Sequence, residues 1–238
     1  MHLDVLAFGA HPDDVEISAG GTVAQLVASG KKVGIIDLTR GELGTRGSAE
    51  LRTQEAAKSA EILGVSAREN LDMPDGFFGY TEENQRKIIR MIRKYTPEIV
   101  LANSLTDRHP DHGKGARLVA DACFLSGLRK IETELDGVAQ TAHRPRAIYH
   151  YSQDRYLKPD IVVDVTSYFD KKMEAIAAFG SQFFNPNSTE PKTPISGSEF
   201  FEFIKARCMD FGRPSGFLYG EGFQVERSIG VTDITVLH

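Results

Sequence analysis

The 238-residue chain carries 28 Lys and Arg against 33 Asp and Glu, a net charge of −5, which argues against a protein that binds nucleic acid by neutralising phosphates. With 41% hydrophobic and 26% charged residues it has the balance of a globular protein with a proper core, not of a disordered or fibrous one. No apolar run approaches the roughly 20 residues of a membrane span, no basic stretch with an apolar region behind it opens the sequence, and the two cysteines, Cys123 and Cys208, lack a second Cys or His at metal-ligand spacing, so a cytoplasmic protein with two buried thiols is expected.

Residues 3–9 (LDVLAFG) form a short apolar run, the mark of a strand covered on both faces. A helix is expected over 18–29, with Gly30 at its left-handed C-terminal cap, and a second buried strand over 32–38. The loop 39–47 holds three glycines with Arg40 and Arg46. Ser48 can cap a helix running to Leu63 and stopped by Gly64; 70–73 reads as a third strand, Pro74-Asp75-Gly76 as a turn, and Thr81 as the cap of a helix to Tyr95. A fourth strand at 98–103, a polar loop at 104–113 and a helix at 114–126 complete the regular part. Beyond it, strands are expected at 147–151 and 161–165, a helix at 168–179, a long loop at 180–197 that is a candidate lid, a helix capped by Ser198, and an edge strand at 229–237. Strands alternating with helices predict an α/β fold: a mostly parallel sheet in one domain, 1–238, with a core of 1–126 and a C-terminal part of 127–238. Ligands of such sheets bind outside the carboxyl ends of the strands, so the segments after strands one, two and four should open on one edge.

Two of those segments carry the chemistry. The first is His11-Pro12-Asp13-Asp14 and the second Arg108-His109-Pro110-Asp111-His112. Two imidazoles and a carboxylate suit a divalent transition metal with positions left open for water, and His11, Asp14 and His112 are the candidate ligands. Asp13 is the spare carboxylate, placed to accept a proton from water. His109 is the spare imidazole, and Asp111 could accept its ring N–H and keep it cationic beside a developing oxyanion. Alternatively, Asp13 or Asp14 merely caps the following helix, worth about 1 kcal/mol.

The stretches Gly9-Ala10-His11-Pro12-Asp13-Asp14, Thr39-Arg40-Gly41-Glu42, Arg52 with Glu55, and His109-Pro110-Asp111-His112 strongly resemble the PIG-L/LmbE-like zinc N-deacetylases. Gly41 to Gly47 and Arg108 to His112 resemble the branch that removes acetate from N-acetylglucosaminyl-malate in bacillithiol biosynthesis. The resemblance implies a Rossmann-like fold, a Zn2+ site on His11, Asp14 and His112 (with Fe2+ or Co2+ able to use the same ligands), Asp13 as general base and then acid, and His109 oriented by Asp111 as oxyanion stabiliser. It also implies a cytoplasmic homo-oligomer, often a hexamer. The substrate would be an amino-sugar glycoside with an anionic aglycone; diacetylchitobiose or another amino-sugar glycoside is the alternative. Arg52 and Arg108 are the expected substrate arginines, since a guanidinium offers a paired donor fork to a carboxylate; Arg52 could instead pair with Glu55 or Glu42. Two other classes fit part of the pattern. The same ligands make the facial triad of non-haem iron oxygenases, which has no need of Asp13, and a non-catalytic sugar-binding domain would have little use for Asp13 beside His109.

Overall fold

The computed structural model describes residues 1–236. Its main sheet runs β3-β2-β1-β4-β7-β9-β8. Here β1 is Val5–Gly9, β2 Val33–Thr39, β3 Ala67–Met73, β4 Ile99–Ala102, β7 Ala147–Tyr151, β8 Ile161–Asp164 and β9 Gly220–Val225. The first five strands in that order are parallel, and β9 runs antiparallel to both β7 and β8. A separate hairpin, β5 (Glu134–Leu135) with β6 (Val138–Ala139), was not anticipated. The helices are α1 (Asp14–Ala28), α2 (Ala49–Leu63), α3 (Glu82–Tyr95), α4 (Pro110–Ser126), α5 (Phe169–Ala177) and α6 (Glu199–Gly212). No helix among the described residues is long and apolar enough to cross a membrane.

Every residue of β1 and β2 is buried, because helices cover both faces. Side-chain alternation divides the apolar residues between two cores. Leu6, Phe8, Ile36 and Leu38 pack with Ile88 and Ile92 of α3 and Leu118 and Val119 of α4. Val5, Ala7, Val33 and Ile35 pack with Val15, Ala19 and Val23 of α1. A third cluster joins Ala56 of α2 to Phe179, Phe183 and the Phe200, Ile204 and Cys208 face of α6. Both cysteines are buried free thiols.

Several boundaries differ from the expectations, and each difference has a cause. Helix α1 starts at Asp14, not Ser18, with polar residues of the site in its first turn, and α4 starts at Pro110, because Pro fits a helix's first turn. Strand β3 begins at Ala67; its charged sequence conceals it because Arg68 is buried by pairing with Asp37 and Glu16. Ser48 and Thr81 accept the N–H groups of Leu51 and Asn84 as caps, whereas Ser198 is itself helical and makes no side-chain cap. The expected edge strand at 229–237 is irregular up to a 3-10 turn at Ile234–Val236, and residue 237 lies outside the described residues. The last strand is instead β9, whose glycines obscured it. A Cβ on Gly220 would come within 2.5 Å of Val162 Cγ1, so close packing of β9 on β8 demands glycine there.

The order of the parallel strands places the site. From β1 the chain winds outward through β2 and β3, then returns across the sheet to β4 on the other side of β1. The segments leaving β1 and β4 therefore diverge and open a crevice at the carboxyl edge.

Candidate metal centre and pocket

His11 and Asp14 leave β1 on a corner that puts Asp13 at φ 123°, a conformation that costs a non-glycine residue of order 1–3 kcal/mol and is held by its surroundings. Those surroundings are Arg52 of α2. Its Nη2 donates to Asp13 Oδ2 at 2.9 Å and to the Pro12 carbonyl at 2.6 Å, and Nη1 donates to the Gly41 carbonyl at 3.2 Å. The Asp13 carboxylate does not cap α1. Arg52 pairs with neither Glu55, which takes the N–H and hydroxyl of Ser181, nor Glu42, which takes the N–H of Asp75. Burial, opposed by Arg52 and reinforced by Asp14, pushes Asp13 up to about 7.

Asp14 sits between two imidazoles. Its Oδ1 lies 3.1 Å from His112 Nε2 and its Oδ2 3.7 Å from His11 Nδ1. It also accepts the N–H of His11 and the amides of Asn103 and Gln153. Although burial raises its pKa, His112 and His11 together hold its carboxyl well below the usual carboxylate range. The far nitrogens of both rings are braced: His11 Nε2 is 3.0 Å from Asp75 Oδ1, and His112 Nδ1 is 2.5 Å from Asp107 Oδ2. Burial lowers both histidines, but Asp111 and Asp75 raise His11 to about 10, and Asp14 and Asp107 raise His112 to about 9.

This donor set fits a divalent ion. Ligands at about 2.0–2.2 Å from a tetrahedral ion stand about 3.3–3.6 Å apart, close to the spacings around Asp14. The bracing carboxylates match the outer partners that orient metal-bound histidines. The groupings of donor atoms that come together most tightly among the described residues, His11-His109-His112 and His11-Asp75-Asp111, both leave out Asp14. The first would use His109, whose Nδ1 accepts the Asp111 N–H at 3.2 Å. In the second, Asp111 is taken by the Gly76 N–H and by Lys114, whose Nζ is 2.5 Å from Oδ1. The two back-braced imidazoles, His11 and His112, belong both to the Asp14 set and to the first of these groupings, and Asp14 is the carboxylate that lies between them.

One expected contact is corrected. The Asp111 carboxylate does not receive the His109 ring; its backbone N–H donates to the ring, because His109 is the N-cap of α4. Burial and the neighbouring His11 and His112 push the His109 pKa down. With Nδ1 accepting, a neutral His109 carries its proton on Nε2, so it is a neutral donor and not a cation.

These groups line a cavity of about 420 Å³, with Leu43, Phe77, Arg108, Gln182, Phe200 and Arg207 among its walls. That volume suits a small ligand. Arg108 Nε is 3.1 Å from Asp154 on an exposed part of the rim. The 180–197 loop is anchored to the 39–47 loop: Arg46 donates to Ser188, and Gln182 to the Arg46 carbonyl. Sequence reasoning missed Asp75, Asp107, Gln153 and Arg207. Asp75 had a signal, since it lies in the turn that follows a parallel strand on the predicted edge; Gln153 and Arg207 come from the less regular part after residue 126.

Fold and site define a class: a Rossmann-like α/β protein with a His- and Asp-lined pocket at its switch point. The sequence profile of PIG-L, described as GlcNAc-PI de-N-acetylase, matches residues 6–123, a span holding every predicted site residue. The diacetylchitobiose deacetylase of Thermococcus kodakarensis is 31% identical over 232 residues, 92% of this chain and 82% of that protein. The chain belongs to the PIG-L family. A solved structure, the conserved protein TT1542 of Thermus thermophilus, matches with a TM-score of 0.85 and 33% identity over 98% of both chains. The 4-oxalmesaconate hydratase of Pseudomonas putida is 29% identical over 195 residues, 74% of this chain and 73% of that protein. Relatives of this chain therefore carry names for more than one reaction.

Proposed function

We propose that the chain is a metal-dependent N-deacetylase that releases acetate from an N-acetylglucosamine glycoside, N-acetylglucosaminyl-malate being the substrate its motifs favour. One observation carries the reading: Asp13 is buried, raised to about 7 and paired with Arg52, beside the imidazole–Asp14 cluster. A site that only held an ion would not need a second carboxylate poised near neutrality. A proton-transfer catalyst does.

A divalent ion on His11, Asp14 and His112, zinc by the resemblance, would acidify water and polarise the acetyl carbonyl. Asp13 accepts the proton of the attacking water and returns it to the departing amine. His109, with its proton on Nε2, donates to the oxyanion that develops on the acetyl oxygen. Asp111 serves this step through its backbone N–H, which sets the His109 tautomer. Arg52 steers Asp13 and, from the cavity wall, meets substrate or departing acetate. Arg108 meets the aglycone at the rim, and the 180–197 loop closes one wall as the lid. Assembly into a homo-oligomer, a hexamer by the resemblance, belongs to the same reading and is checked by light scattering.

The test is acetate release across N-acetylglucosamine, its malate and inositol glycosides, and diacetylchitobiose. The malate glycoside should have the highest kcat/KM. Absence of acetate from every member, with turnover of an unsaturated dicarboxylate instead, would overturn the deacetylase reading in favour of a hydratase.

A further inference from the structure

Arg207 stands on the face of α6 that meets the pocket, seven residues after Phe200, which shares the wall. Its neighbours Ile204, Cys208 and Phe211 are buried, and Arg207 lines both this cavity and a small hollow beside them, so it stands on a helix face fixed by packing. The other arginines of this cavity are engaged: Arg52 with Asp13, Pro12 and Gly41, and Arg108 with Asp154. Arg207 makes no hydrogen bond or ion pair among the described residues, although it is half-buried. The carboxylates whose charge acts on it, Asp154 and Asp107, are committed. Asp107 holds His112 and the Arg155 N–H, and Asp154 holds Arg108. Burial accordingly lowers the Arg207 pKa, with Asp154 and Asp107 opposing, the position of a cation short of a partner.

We infer that Arg207 is the specificity-determining cation of the pocket, which receives a carboxylate of the substrate's aglycone and selects acidic over neutral glycosides. This rests on the deacetylase reading and deepens it. A planar guanidinium on a rigid helix matches a carboxylate with two parallel hydrogen bonds. A neutral second sugar would bury the same guanidinium further without neutralising it, which penalises the neutral substrate and so sharpens the choice. Arg108 cannot make this choice alone, because it is exposed at the rim and already meets Asp154.

The test compares wild type, Arg207→Gln and Arg207→Lys as the metal-loaded full chain, with thermal unfolding to establish folding. The readout is kcat/KM for N-acetylglucosaminyl-malate divided by that for diacetylchitobiose. In Arg207→Gln the ratio should fall about 10- to 100-fold, the scale of a lost hydrogen bond to a charged group. The loss on the acidic glycoside should appear mainly in KM, as for binding shared by ground and transition states. Arg207→Lys should recover part of it, since it keeps the charge and loses the fork. A second measurement does not depend on turnover: calorimetric titration with glucosaminyl-malate, whose affinity should weaken by a similar factor in Arg207→Gln. Unchanged affinity and an unchanged ratio would overturn the role of Arg207. Weakened affinity in a protein that releases no acetate would uphold it and sink the deacetylase reading instead.

Discussion

Replacing Asp13 by Asn keeps the size of the side chain and an oxygen for Arg52, but removes the proton acceptor. Activity should fall about 10²- to 10⁴-fold, the usual contribution of a general base, while metal content, measured by plasma emission on the dialysed protein, stays at the wild-type value. Loss of the metal along with activity would instead make Asp13 a ligand. Arg52 tests the same pair from the other side. Arg52→Ala leaves the buried Asp13 carboxylate without its cation, and breaking a buried pair costs about 3–5 kcal/mol. Urea unfolding should show a destabilisation of that order, together with a drop in kcat. At this scale, the motifs made Asp13, His11, Asp14 and His112 legible, because ionisable groups at the ends of buried strands stand out in a one-dimensional reading. Their partners were not legible. Nothing in the sequence ties Asp13 to Arg52, 39 positions away, or His112 to Asp107 through a ring whose orientation depends on packing.

The elements around the site make their own predictions. The loop after β2 passes over Arg52 so closely that a Cβ on Gly41, at φ 65°, would come within 1.9 Å of Nη1. Gly41→Ala should therefore displace the guanidinium from Asp13 and lower kcat with metal affinity retained, which kinetics and zinc titration can separate. Among the helices of the same face, Glu221 of β9 accepts the N–H groups of Gly21 and Thr22 in α1, and Lys172 of α5 donates to Glu221 and to the Ile17 carbonyl. This buried pair ties α5 and β9 to the helix that starts at the candidate metal site. Glu221→Gln leaves the Lys172 charge without its counter-ion and should destabilise the fold by about 3–5 kcal/mol in urea unfolding. The double variant Lys172→Met/Glu221→Gln should cost less than the sum of the single changes, as for groups in contact. Glu221 was invisible beforehand because β9 itself was hidden by its glycines.

For the whole molecule, an ion bound only by the folded state stabilises it by mass action. At a free concentration about one hundred times its Kd the gain is about 2.7 kcal/mol, or about 5–10 °C in Tm for a chain of this size. Dialysis against a chelator should remove that increment and the activity together, and zinc should restore both. In His112→Ala the Tm should be insensitive to the chelator. A wild-type Tm unmoved by chelation would argue that the imidazole–Asp14 cluster holds no ion.

The sequence by itself determined the alternation of strands and helices, the parallel sheet it requires, and the edge on which two acid- and His-rich segments must meet. These follow from local periodicity and connectivity, and both are carried by consecutive residues. Only the tertiary structure decided what each charged group does: that Arg52 belongs to Asp13, that Asp111 serves His109 through its backbone, that Asp75 and Asp107 brace the two imidazoles, and that Arg207 completes the pocket wall. Charge pairing inside a protein depends on distance and desolvation, and neither can be read until the chain is folded.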